Sequence, residues 1–77
     1  MAFVDVLDNA VYTKRELKIT TRSRGVIIGT PYAVDEFDTD PNRLGYYLDI
    51  GEYEVDTVFL DEIVQIEVLE KIDSQVA

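Results

Sequence analysis

The side chains of this chain best able to do chemistry are carboxylates. Asp38, Asp40 and Asn42 occupy alternate positions in Asp38-Thr-Asp-Pro-Asn42, and Asp49 follows eleven residues after Asp38. Alternating oxygen donors are what a calcium loop uses, because a hard cation needs several carboxylates and carbonyls converging on it. Such a loop carries glycine at its sixth position. Here that position is Arg43, a cation set where the metal would sit, and Asp49 falls inside an expected strand. The segment reads as a solvated turn. Asp35, Glu36, Asp38 and Asp40 could also serve acid–base work, which needs two carboxyls in different environments so that their pKa values separate. Four acids in one polar loop are instead all ionised and mutually repelling. The chain contains neither histidine nor cysteine, so the usual general base and the thiolate nucleophile or ligand are missing. The expectation is a non-enzyme with no metal and no cofactor.

The cations form the second group. Five of the seven, Lys14, Arg15, Lys18, Arg22 and Arg24, lie close together, whereas all acids except Asp5, Asp8 and Glu16 lie from Asp35 onward. The net charge is −9. Nucleic-acid binding depends on cations releasing condensed counterions, so most of this surface would repel a phosphate polymer, and a nucleic-acid partner is disfavoured. The Lys14–Arg24 segment is the one place where an anion could dock; the plainer reading is the solvated face of a first hairpin. Five tyrosines and three phenylalanines supply aromatic surface. Phe37, Tyr46 and Phe59 are assigned to the core. Tyr32, Tyr47 and Tyr53 alternate outward, where tyrosine is enriched in interfaces.

Positioning these groups requires a fold, and 77 residues make one domain. So short a chain buries only about 60% of its unfolded surface, so packing or self-association must supply its stability. Ala2–Val11 shows the i, i+3, i+4 spacing of an amphipathic helix. Leu17–Thr21 alternates as a half-buried strand, and Arg22–Gly25 is a turn. Val26–Val34 is a long second strand in which Gly29 and Pro31 predict a curl that leaves the sheet edge midway. Leu44, Tyr46, Leu48 and Ile50 share one face of a third strand. Val55–Leu60 is a fourth, Asp61-Glu62 a tight link, and Val64–Leu69 a fifth, with Val64, Ile66 and Val68 inward. Residues 1–70 form the domain and 71–77 a polar tail. A helix followed by five short strands fits a small barrel, which would hide its own edges. No apolar run reaches the ~18 residues of a membrane span, and nothing resembles a secretion signal. The expected setting is the cytoplasm, away from membranes.

Two segments give this order a family likeness. Gly29-Thr-Pro-Tyr-Ala-Val-Asp35-Glu-Phe37 is similar to the strand glycine and hydrophobic–Asp–x–hydrophobic run of the Sm-like family, and Val58-Phe-Leu-Asp-Glu-Ile63-Val-Gln-Ile66 resembles its last two strands and their tight link. The resemblance implies a mainly β, SH3-like five-stranded bent barrel behind one N-terminal α-helix, and a habit of forming rings. It departs from the family where RNA is contacted. Thr39 stands in place of an asparagine, Leu60 and Asp61 in place of a Lys-His pair, and the first hairpin glycine is displaced to Gly25. An aspartate where a cation should meet phosphate argues against that chemistry. The leading expectation is therefore a homo-oligomer or protein-binding module, with Tyr32, Tyr47, Tyr53 and Leu60 at the interface. The alternative is a nucleic-acid regulator that either binds weakly through Lys14–Arg24 or mimics nucleic acid with its acidic half.

Overall fold

The computed structural model describes residues 2–35 and 44–69. Phe37, the Asp38–Asn42 donors and the tail lie outside the described residues. Helix α1 spans Phe3–Thr13 and is followed by β1 (Leu17–Thr21), β2 (Val26–Val34), β3 (Gly45–Gly51) and β4 (Glu54–Phe59). A 3-10 turn, Leu60–Glu62, then leads into β5 (Ile63–Val68). The helix runs two residues beyond the expected end. Thr13 Oγ1 donates to the Asn9 carbonyl at 2.8 Å, and Lys14 caps the last turn in the left-handed conformation, φ 59°. The Lys14 and Arg15 amides both donate to the Ala10 carbonyl, satisfying an acceptor that a helix end leaves open.

The strands form one antiparallel sheet in the order β4-β3-β2-β1-β5. Strand β2 is central. It pairs with β1 through Val26–Gly29 and with β3 through Thr30–Val34, with a register shift between Pro31 and Ala33. The expected departure to the sheet edge does not occur. The pairing with β1 ends at Gly29, so on that side a missing donor at Pro31 breaks no ladder bond. Gly29 is where backbones come closest. A Cβ there would sit 3.0 Å from the Asp49 carbonyl oxygen and 3.0 Å from Ile50 Cγ2.

One face of the sheet and the helix enclose Leu7, Ala10, Leu17, Ile19, Tyr46, Leu48, Val58 and Ile63, with α1 packed on β2 and β5. The expected closed barrel is not formed. The sheet stays open, because the three-residue turn sends the consecutive strands β4 and β5 to opposite edges instead of pairing them. Main-chain bonds hold that turn from both sides: the Leu60 amide donates to Leu44 and the Arg22 amide to Glu62, each at 2.9 Å.

Four inward assignments change. A bulge opposite Thr20/Thr21 puts Ile63, not Val64, against Thr21, so Ile63 is buried and Val64 exposed. Val68 keeps its inward register opposite Leu17, yet it lies on an edge strand and remains exposed. Phe59 pairs with Gly45 on the outer face and covers it: a Cβ on Gly45 would meet the Phe59 ring at 2.9 Å. Ile50, at the end of β3, is also exposed.

Two polar contacts fasten the assembly. Tyr46, fully buried in the core, donates its hydroxyl to Asp8 Oδ1 of α1 at 2.5 Å. Arg24, in the β1–β2 turn, donates through Nε and Nη2 to Glu62 at 2.9 and 3.0 Å, and through Nη2 to the Thr57 carbonyl at 2.8 Å. It also donates through Nη1 to Asp56 at 3.3 Å. Glu62 further accepts the Phe59 amide at 2.9 Å.

Burial, then the hydrogen bond to Asp8 and the charges of Asp8 and Asp5, raise the Tyr46 pKa above its ordinary 10.0. The unfolded chain ionises this phenol first. Its contribution to stability is therefore complete below pH 10 and declines as pH rises from there toward the folded value. Urea midpoints measured from about pH 8 to 11 should fall more steeply in the wild type than in Tyr46→Phe; equal slopes would remove Tyr46 as the cause. The same substitution should cost about 1.5 kcal/mol at neutral pH through the lost bond to a carboxylate. Arg24→Ala should lower stability by about 1 kcal/mol, since its pairs are partly solvent-screened, and part of that difference should vanish at about 1 M salt. A variant as stable as the wild type in calorimetry would show that the clasp is incidental.

Candidate functional site

A cleft of about 920 Å³ opens between the end of α1 and the β3–β4 hairpin. Val11 and Lys14 form its helical wall. Thr30, Pro31 and Tyr32 contribute from β2, and Asp49 and Gly51–Val55 from the hairpin. The hairpin turns at Glu52 and Tyr53, both with positive φ (48° and 67°). Two consecutive left-handed residues are the signature of a type I′ turn, a position that favours Asn-Gly. Gly51 before them adopts φ 110° and donates its amide to Asp49 Oδ1 at 2.9 Å. The turn holds the Tyr53 ring entirely in solvent.

The cleft gathers two of the tyrosines expected at an interface, Tyr32 and Tyr53. Tyr47 stands behind them, its ring stacked on Tyr32 with centroids 6.1 Å apart and planes inclined by 24°. Desolvation first, then a hydrogen bond to Asp35, pushes the Tyr47 phenol above its usual pKa. Pro31 faces inward opposite Leu48, so alternation turns Tyr32 to the outer face that Tyr47 also occupies, and the two rings stack there. Leu60 lies apart from the three tyrosines, half-buried in the 3-10 turn and packed on the core.

The expected anion-contact residues do not converge on one patch. Lys14 lines the cleft. Arg15 borders a smaller recess of about 370 Å³ beside Asp5, Asn9 and Val68, and donates through Nη1 to the Leu69 carbonyl at 3.2 Å. Lys18 is exposed on β1, opposite Glu67 of β5. Arg22 Nε donates to the Asp61 carbonyl at 3.3 Å, and Arg24 is taken up by Glu62, Asp56 and Thr57. Thus three of the five cations use guanidinium donors on the chain's own oxygens.

The acidic and apolar parts of the cleft went unread in the sequence. In the sequence Asp49 stands out only as a distant calcium donor, and Glu52 and Glu54 carry no assignment. The available signal was the absence of Asn or Gly at the two turn positions after Gly51. Among the described residues, no three His, Cys, Asp or Glu side chains gather as metal donors, and no helix is long and apolar enough to cross a membrane. No family model matches this chain, and no curated protein or solved structure matches it either.

Proposed function

We propose that this protein is a non-enzymatic Sm-like module, without a cofactor, that acts by associating with further copies of itself through its sheet edges. The observation that carries the reading is the pair of unpaired edges, β4 and β5, on opposite sides of one small sheet. A sheet edge presents main-chain donors and acceptors that can pair with another strand; on β4 the Thr57 carbonyl and the Thr57 and Phe59 amides already bond to Arg24, Asp56 and Glu62, so pairing there falls to its Val55 end. Exposed Val55 on β4, and Val64 and Val68 on β5, add apolar surface there. Lysine or proline is the usual way to blunt an edge, and Glu54–Phe59 and Ile63–Val68 contain neither. Pairing β4 of one copy with β5 of the next is head-to-tail, and it closes into a ring when the rotation between copies permits.

The alternative, a regulator that binds nucleic acid through Lys14–Arg24, draws less support, because Arg15, Arg22 and Arg24 make internal hydrogen bonds. Light scattering coupled to size exclusion at about 100 µM should give a multiple of 8.8 kDa. Val64→Lys with Val68→Lys, both at exposed positions, should return the mass to that of one chain while leaving the circular dichroism unchanged. A wild-type monomer, or an assembly indifferent to both lysines, would sink the edge-pairing model.

A further inference from the structure

We infer that the cleft between α1 and the β3–β4 hairpin binds an extended peptide of a protein partner in which an apolar residue neighbours an arginine or lysine. This goes beyond edge pairing, with which the cleft shares only the Glu54–Val55 start of β4. The charge of the walls selects the sign of the occupant. Asp49, Glu52 and Glu54 line the cleft against the single cation Lys14. Among the described residues the ion pairs are those of Arg24, so no described cation forms an ion pair with these three carboxylates. The whole chain, at −9, adds to their attraction for a cation.

The remaining lining suits the rest of such a peptide. Val11 and Val55 offer apolar surface, and the rings of Tyr32 and Tyr53 offer faces on which a guanidinium or ammonium can lie. A bare anion would meet three carboxylates, and a purely apolar ligand would leave them desolvated without partners.

Backbone strain provides independent support. The described residues include three non-glycine residues with positive φ: Lys14, Glu52 and Tyr53. All three line this one cleft; the conformation of Lys14 is accounted for by the end of α1, which leaves Glu52 and Tyr53. Such conformations persist where surroundings over-determine them and cluster at ligand clamps. Nothing within the fold holds Tyr53 in place, because its side chain is fully exposed. The hairpin would turn more easily with Asn-Gly. What Glu52 and Tyr53 provide in exchange is a carboxylate and an aromatic ring at the mouth of the cleft.

The test uses a fluorescein-labelled peptide of alternating leucine and arginine, with two controls that replace the arginines by glutamate or the leucines by serine. Fluorescence anisotropy on the full chain should show saturable binding of the first peptide and at least about tenfold weaker binding of each control. The double variant Glu52→Asn with Tyr53→Gly should melt at a higher temperature and lose binding at least about tenfold. Lys14→Gln should tighten binding a few-fold. The mass by light scattering should be the same for wild type and double variant, which separates this site from the edges. No binding of the leucine–arginine peptide up to about 1 mM, equal binding of either control, or full binding by the double variant would each overturn the inference.

Discussion

Because β1 pairs with β2 only as far as Gly29, and β3 only from Thr30 onward, one nine-residue strand carries both halves of the sheet. Everything else is hung from that exchange of partners. At the exchange the backbones approach until a single added methyl at Gly29 would press on the Asp49 carbonyl and on Ile50. Pro31, two residues on, is buried where the β1 ladder has already ended. Alternation turns Tyr32 outward, where it stacks on Tyr47, and the register shift that follows returns Val34 opposite Tyr46 inside. The same short stretch thus sets the core and one wall of the cleft.

The open sheet creates a second problem, which charge solves. Strands β4 and β5 are consecutive, yet they must leave the 3-10 turn for opposite edges. Glu62 fixes that divergence by accepting from the Phe59 amide and from two nitrogens of Arg24. Arg24 is positioned by its own turn, where Gly25 has φ 74° and Thr21 Oγ1 accepts the Arg24 amide at 3.0 Å. A guanidinium suits this position because its planar fork serves a carboxylate and a carbonyl together. The basic segment is therefore structural at Arg24, whose guanidinium donors are turned onto the chain's own oxygens.

Much of this fold is legible in the sequence, and where it is not the reasons are local. The helix, the five strands and their order along the chain follow from periodicity, and the turns at Arg22–Gly25 and Asp61-Glu62 follow from composition. Closure is another matter: whether β4 and β5 meet is decided by the path of a three-residue turn and by Arg24, which no periodic pattern encodes. The bulge opposite Thr20/Thr21 moved Ile63 inward and Val64 out, a one-residue change that alternation cannot see. Phe59 was assigned to the core by its size, but its partner across the strands is Gly45, whose bare backbone needed a cover on the outer face. In the cleft, Tyr32 and Tyr53 were readable as outward aromatics. That Lys14 and Tyr32 come beside the Glu52–Tyr53–Glu54 turn depends on where α1 ends against the hairpin, a tertiary fact.

A domain of this size has little stability to spare, and that makes its departures from easy local structure informative. Gly25 stands where the first hairpin needs a left-handed residue, so the chain uses glycine at one such position. At Lys14, Glu52 and Tyr53 it does not. Left-handed φ at a non-glycine residue costs roughly 1–2 kcal/mol, and a buried partner that might offset it is absent at Tyr53, whose ring touches solvent all round. Folding alone would favour glycine or asparagine at these positions. The side chains retained there are a cation, a carboxylate and an aromatic ring, the groups that read charge and apolar surface in another molecule. At Lys14 the left-handed backbone closes the helix by bonding to the Ala10 carbonyl, whereas at Glu52 and Tyr53 it forms the hairpin turn without the residues that make such a turn easiest.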